Sequence, residues 1–402
     1  MNLADYALNH KAGASGVDIR SARQGTVTMA LRQWTYRRGY LDPVVSNQGR
    51  RPRQIDVARA ANVSTAIVSA VISSASTGTI RVSEETRRRV LKAVKDLGYV
   101  PNVAARSLAG GRSHLIGAFT YQRLFPRESQ DFYFEFLVGI EEAAEEAGYN
   151  LLLFTGARDD SGNRTVYRNG SNMLQLADGS IMVGGMVDPK ELARLHAERY
   201  PFVMVGRRDA IPTGVCWVAA DYRSGTTEVV RSLADLGHRK IALVRGTLTH
   251  ETVDDRRAGF AEAGTELGWP GDSLQVLTYD TAGGADAARP RALLALARRR
   301  KITALVFESN YLADQVRAAA TTAGVDIPGQ VSVIALGDWS EQMPDQQIAP
   351  GLAQLVSPSR QIGREAVGIL IRLLSSQTTR TEHVMVPCTI TAGSTIAPPS
   401  SP

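Results

Sequence analysis

Residues 53–117 constrain this chain more than any other stretch. They read RQIDVARAANVSTAIVSAVISSASTGTIRVSEETRRRVLKAVKDLGYVPNVAARSLAGGRSHLIG. Ile55, Val57, Ala58 and Ala61 recur at helical spacing. Asn62 tolerates the left-handed backbone and can end that helix sharply. Ser64 stands where an N-cap is needed, so a second helix is expected over 65–72. Val63, Val68 and Val71 or Ile72 would pack inward, leaving Thr65, Ala66, Ser69 and Ala70 outward. Two helices joined by a tight turn form a helix-turn-helix, whose second helix presents its N-terminal residues to base edges in the major groove. A third helix starts after Ser83 with Glu84 and Glu85 in its first turn, runs through Val90, Leu91, Val94 and Leu97, and stops at Gly98.

Pro101 pre-sets the chain beyond this head, Asn102 can cap, and residues 103–109 allow about two helical turns before Gly110 and Gly111. So short a helix is marginal alone in water.

The strings DVARAANVS, VSEETRRRV, LGYVPN and ARSLAGGRS, in that order, resemble the DNA-binding head of the lactose-repressor family of bacterial transcription regulators. The resemblance implies a hinge helix that orders on operator DNA, pairs with its dimer mate and enters the minor groove. Leu108 matches the leucine that wedges between base pairs, and Ala105 its small neighbour. An ordinary linker role for Leu108 stays open. Ala70 stands where the family often carries arginine; alanine can at most touch a thymine methyl. Ile67 is more apolar than usual and the loop 73–82 is longer than in many relatives, so the operator sequence does not carry over.

Charge is distributed accordingly. Residues 51–113 hold eleven Lys/Arg against four Asp/Glu, a net of +7, while residues 114–402 hold 28 against 33. The first fifty residues carry +4. Basicity therefore sits at the N-terminal end, where phosphates would be neutralised. Arg87–Arg89 are candidates for that contact, or simply a solvated helix face. Residues 1–50 lack periodicity and read as a flexible basic extension or a mis-assigned start, with an added DNA-binding arm as the alternative.

Behind the hinge, short apolar strands alternate with helices. Strands are expected at 115–120, 150–155, 179–184, 202–206, 215–219, 241–245, 304–308 and 331–336, with helices at 134–147, 189–199, 225–236 and 312–323 between them. This pattern means parallel sheets covered on both faces. The expected fold is an all-α helix-turn-helix head (51–100), a hinge (101–113) and an α/β two-lobed domain of type I periplasmic-binding-protein-like architecture (114–396). The first lobe is expected over about 114–210 and 352–378, the second over about 211–340 and 380–396. The helix 361–374 would pack on the first lobe, and 383–391 would add a strand to the second.

Ligands of open α/β sheets bind at the carboxyl ends of strands, here between the lobes. Phe132 and Tyr133, placed just before the first helix of the domain, match the family's aromatic pair at the cleft mouth, with core packing as the alternative. Arg256 in RRAGF matches the arginine that grips effector oxygens, for which a guanidinium fork is suited. Ser309 and Asn310 follow the strand ALVFE where the family commonly has Asn-Asp. Gly337 takes the place of a ligand carboxylate, with Asp338 beside it. Asp221 matches an aspartate of structural role. Together these suit a small polyhydroxylated effector, a sugar or its derivative, with a purine or other metabolite as the alternative. Loss of the carboxylate at 337 makes a sugar acid or sugar phosphate more acceptable than in relatives that keep it.

The chain has no phosphate-cradling glycine loop and no nucleophile elbow, so neither an enzyme nor a cofactor is expected. Cys216 and Cys388 lie apart, without metal-ligand spacing, which fits a reducing cytoplasm. No apolar run reaches the length of a membrane span. A homodimeric, effector-responsive regulator on a near-palindromic operator is expected; a solute-binding protein would share the lobes but not the head.

Overall fold

The computed structural model describes residues 52–72, 82–100, 112–121, 130–155, 158, 162–184, 188–209, 214–247, 249–279, 289–337, 350–375 and 380–400. The chain divides into two compact units at Pro101/Asn102. The extension 1–50 and the hinge residues Asn102, Ala105 and Leu108 lie outside the described residues.

In the first unit, helices α1 (Gln54–Ala60) and α2 (Thr65–Ile72) turn by 103° about Asn62, whose φ is 51°. Ser64 Oγ accepts the Ile67 N–H at 3.3 Å, and Gln54 Nε2 donates to the Thr65 carbonyl at 3.1 Å. The start of α2 is thus fixed from both sides of the turn. α3 (Glu84–Leu97) is capped by Ser83, whose Oγ accepts the Thr86 N–H, and ends at Gly98 in the left-handed conformation. Val57, Ala58, Ala61, Val68, Val71, Val90 and Ala93 close the core. Ile55, Leu91 and Leu97, expected on apolar faces, stay exposed at 41%, 48% and 37%. Three helices of this length offer too little concave surface to cover them.

The second unit holds two six-stranded sheets. The first contains β1 (Leu115–Phe119), β2 (Asn150–Phe154), β5 (Gly179–Val183), β6 (Phe202–Val205), β7 (Cys216–Asp221) and β13 (His383–Pro387). Its order is β13-β7-β6-β5-β1-β2 and all its pairs are parallel. Between β2 and β5 lies a small ribbon of β3 (Tyr167–Arg168) and β4 (Ser171–Asn172). The second sheet contains β8 (Ile241–Arg245), β9 (Leu274–Thr278), β10 (Ala304–Phe307), β11 (Ser332–Ala335), β12 (Ala353–Val356) and β14 (Thr389–Thr391), in the order β14-β12-β11-β10-β8-β9. In this sheet β14 runs antiparallel to its neighbour and the other pairs are parallel. The central strands are buried along their whole length, which explains their unbroken apolar sequences.

Helix α4 (Gln130–Glu146) packs with α10 (Ser359–Leu374) on the first sheet, and α5 (Pro189–Ala197) lies between β5 and β6 in sequence. On the second lobe α6 (Tyr222–Asp235) packs against α7 (Glu251–Glu266), and α8 (Arg289–Arg300) against α9 (Asn310–Ala323). A Cβ at Gly259 would run into the carbonyl oxygen of Arg223, so this glycine lets α7 approach α6. Thr227 Oγ1 donates to the Gly259 carbonyl at 3.0 Å in the same contact.

The lobe boundaries differ from those expected. β7, expected to open the second lobe, pairs with β6 in the first sheet. β12, expected in the first lobe, pairs with β11 in the second. Residues 383–391 split between the sheets: β13 joins β7, and β14 joins β12. β6 and β7 are consecutive parallel neighbours without a described helix between them, so alternation of strand and helix misplaces the crossing. The chain passes between lobes at Asp221/Tyr222, at Ser357–Pro358 and at Cys388.

Candidate functional site

On the head, Thr65, Ala66 and Ser69 are exposed along one side of α2, and Ala70 is half-buried beside them. No charged side chain interrupts this helix, TAIVSAVI. Arg53, Arg59, Arg87, Arg88, Arg89, Lys92 and Lys95 are exposed cations on the same small unit. Among these, Arg87 lies 3.8 Å from Glu84, a loose contact in solvent.

Between the lobes lies a cavity of about 680 Å³, its mouth included. The first lobe supplies the ends of β5, β6 and β7, with Gly184, Arg207, Arg208 and Ala220 on the wall, together with Phe136 from α4. The second supplies the start of α7: His250, Thr252, Asp255 and Arg256. Tyr222 and Ser357, at two of the crossings, complete the wall.

α7 begins here because its residues cap it. His250 accepts the Thr252 N–H at 3.2 Å, and Glu251 and Asp254 complement the positive helix end. Burial, and then the nearby Arg208 cation, push the His250 imidazole down to about 4. One turn further, Arg256 is 1% exposed, with its guanidinium 4.0 Å from the centroid of the Tyr222 ring. Among the described residues, Nε and Nη1 of Arg256 have no hydrogen-bond partner. Stacking on an aromatic face orients the fork without using its donors.

Two arginines from the first lobe meet carboxylates of the second. Arg207 Nη2 is 3.0 Å from Asp255 Oδ1, and Arg208 Nη1 is 3.7 Å from Glu251 Oε2. Arg208 Nη2 also donates to the Gly184 carbonyl at 2.7 Å. Burial depresses the Arg208 pKa, with Glu251 opposing the shift. The sequence signal for these residues is GRRD directly after a strand, which the family resemblance does not mark.

Of the sequence candidates that fall among the described side chains, Arg256 alone lines the cavity. Tyr133 does not precede α4 but lies in its first turns, 4% exposed in a core cluster that continues into the second lobe, and near enough to Arg208 on the cavity wall to act on its charge. The backbone of Phe132 lies in the same helix, whose described residues begin at Gln130. Ser309 caps α9, its Oγ accepting the Leu312 N–H at 3.2 Å. Asn310 is 2% exposed and its Nδ2 donates to Gln354 Oε1 at 3.3 Å, towards β12 and not into the cavity wall. Asp338 lies outside the described residues. Asp221 caps α6, its Oδ1 accepting the Ser224 N–H at 3.0 Å.

Sequence reasoning missed Glu308. It follows β10, is 6% exposed, and its Oε1 has no hydrogen-bond partner among the described residues. Burial pushes its carboxyl up to about 7, while Arg256, Arg245 and the Gly246 backbone N–H pull it down. An ionisable carboxyl thus stands one strand away from Gly337, where the resemblance places a ligand carboxylate.

A helix-turn-helix head and a two-lobed α/β domain with a cavity between its lobes define a DNA-binding transcription regulator under small-molecule control. Residues 55–102 match the bacterial regulatory proteins of the lacI family, and residues 230–396 match the periplasmic binding protein-like domain. The chain is 31% identical over 354 residues to an uncharacterized HTH-type transcriptional regulator in the aml 5′ region of Streptomyces limosus, covering 86% of this chain and 94% of that one. Among solved structures, the lac repressor dimer bound to operator and the anti-inducer ONPF is similar with a TM-score of 0.62 at 22% identity, over 87% of this chain and 100% of that one. The transcriptional regulator CelR–cellobiose complex is similar with a TM-score of 0.54 at 24% identity, over 86% of this chain and 100% of that one. The chain belongs to the lacI family of bacterial transcription regulators.

Among the described residues, no single helix is long and apolar enough to cross a membrane, and no cluster of His, Cys, Asp and Glu could hold a metal.

Proposed function

We propose that this regulator acts as a homodimeric repressor in the cytoplasm, without enzymatic activity, reading a near-palindromic operator through paired α2 helices. Thr65, Ala66, Ser69 and Ala70 reach base edges, while Asn102, Ala105 and Leu108 form the hinge contact in the minor groove. The lac repressor structure, a dimer bound to operator, supports this reading by likeness of fold.

The inter-lobe cavity holds the effector, and Arg256 anchors it. The supporting observation is a guanidinium that is 1% exposed on the cavity wall, two of whose nitrogens have no hydrogen-bond partner among the described residues. A buried cation without acceptors is costly, and a ligand that supplies them recovers that cost. A small polyhydroxylated molecule fits, as cellobiose does in the CelR complex. Such a ligand changes operator affinity only through its different affinities for two lobe arrangements.

The experiment is a calorimetric titration of wild type and Arg256→Ala with the best ligand from a thermal-shift screen of sugars and nucleobases. Loss of a charged hydrogen-bond partner should weaken binding at least tenfold, from about 1.5–3 kcal/mol. Equal affinities would place the effector elsewhere. For the hinge, Leu108→Ala should weaken operator binding and reduce DNA bending while the effector domain stays folded; unchanged bending would make Leu108 a linker residue.

A further inference from the structure

The second sheet has a topological switch point between β8 and β10. From β8 the chain passes outward to β9 on one side, then returns to place β10 on the other. Crevices outside the carboxyl ends of strands form at such points. The registers Phe307↔Val244 and Phe307↔Ala335 bring the ends of β8, β10 and β11 level. Arg245, Glu308 and Leu336–Gly337 therefore stand side by side at this crevice.

Arg256 approaches it from α7. A Cβ on Gly337 would lie 3.4 Å from Arg256 Nη2, so the guanidinium reaches the end of β11. The Glu308 carboxyl feels Arg256 as the foremost of its cations, yet among the described residues its Oε1 has no hydrogen-bond partner, nor have Nε and Nη1 of Arg256. Two buried ionisable groups thus end at the same switch point, Arg256 on the cavity wall and Glu308 beside it at the end of β10, one offering donors and the other an acceptor.

We propose that Glu308 selects the effector: together with Arg256 it takes a neutral ligand hydroxyl that accepts from the guanidinium and donates to the carboxylate, and it excludes carboxylate and phosphate ligands. This rests on the reading of the inter-lobe cavity as the effector site. A hydroxyl combines acceptor and donor on one atom. Above about pH 7, where Glu308 is ionised, a sugar acid or phosphate ester would satisfy Arg256 but leave Glu308 facing a like charge in a low-dielectric site, where repulsion is strong. The effect opposes the expectation drawn from Gly337, since the negative charge has moved by one strand and has not been lost.

The test uses the full-length protein at about pH 8.5, above the titration of Glu308, and matched probes: cellobiose with cellobionate, ribose with ribose 5-phosphate, and glucose with glucuronate. Wild type, Glu308→Gln, Glu308→Asp and Arg256→Ala are titrated by calorimetry, each with circular dichroism as a check of folding. Wild type should bind the neutral member of a pair at least tenfold more tightly. Glu308→Gln should reduce that ratio at least fivefold, because its amide no longer repels an anion. Glu308→Asp keeps the charge and should keep the ratio while weakening the neutral probe. A wild type that binds an anionic probe as tightly as its neutral partner overturns the proposal, as does an unchanged ratio in Glu308→Gln. Binding that survives Arg256→Ala undiminished removes the cavity as the effector site, a separate failure.

Discussion

Arg207 and Asp255 face each other across the cleft, Nη2 to Oδ1 at 3.0 Å, one from the end of β6 and the other from α7. Arg208 and Glu251 repeat the arrangement more loosely beside them at 3.7 Å. Both pairs have their cation on the first lobe and their anion on the second, so separating the lobes must break them together.

The Arg207–Asp255 pair predicts a measurable contribution to lobe closure. The Asp255 side chain is 12% exposed and that of Arg207 30%, between a surface pair and a buried one. Asp255→Asn should cost about 1–2 kcal/mol in urea denaturation, intermediate between the two limits. Small-angle scattering of the effector-free protein should show a larger radius of gyration. A variant with unaltered stability and size would mean that the pair is incidental to closure.

Glu308 predicts a pH signature. Its folded pKa is raised, to about 7, so the folded state binds more protons than the unfolded state between about 4.5 and 7. Stability carried by this group is therefore greatest at low pH and falls as pH rises through that window. Glu308→Gln should be more stable than wild type at pH 8, by up to about 3 kcal/mol, and the gain should vanish towards pH 4.5. His250 acts in the opposite sense: its pKa is depressed to about 4, and its contribution is lost as pH falls from 6.5. The two overlap in wild type, so the readout is the difference in Tm between variant and wild type at each pH. A difference that does not change with pH would contradict the burial of an ionisable carboxyl.

Gly259→Ala should destabilise the second lobe. Its Cβ meets the Arg223 backbone carbonyl, which cannot rotate away as a side chain can. Overpacking of this kind costs about 1–3 kcal/mol. Because α7 also carries Arg256 and Asp255, effector affinity should fall with stability. A urea midpoint equal to that of wild type would show that α6 and α7 separate at no cost.

The head predicts two separable effects on DNA. Replacing Arg87, Arg88 and Arg89 by Ala should lower the slope of log K against log salt by about 0.9 for each phosphate that is no longer neutralised. Ser69→Ala should leave the slope alone and change the ranking of operator variants at one base pair, by ~1–3 kcal/mol if the hydroxyl reads an edge. Mobility-shift titrations across salt concentrations distinguish them. An unaltered slope in the triple variant assigns that helix face to solvent.

The head was legible nearly residue by residue because its determinants are local. Ser64, Ser83, Asn62 and Gly98 act on backbone groups within three or four positions of themselves. The strands of the large domain were legible for a similar reason, since burial on both faces leaves an unbroken apolar run. Assignment of strands to lobes was not legible, because β7 and β13 meet through pairing between residues more than 160 apart in sequence, such as His383↔Trp217. At the cavity, Arg256 was found through its motif. The Arg207–Arg208 pair on its wall and Glu308 at the neighbouring strand end were missed, because a charge ending an apolar strand signals nothing until its spatial neighbours are known.

The three crossings between lobes contain almost no spare chain. β7 ends at Asp221 where α6 begins at Tyr222, and a single residue, Cys388, separates β13 from β14. Connections so taut act as pins in a door frame: they let one lobe swing against the other and forbid it to slide. Tyr222 and Ser357, beside two of these crossings, share the cavity wall with Arg207 and Arg208, which pair across the cleft. A rotation about such short crossings would turn a small adjustment beside them into a larger displacement at the far end of each lobe, as in a lever with its load close to the fulcrum.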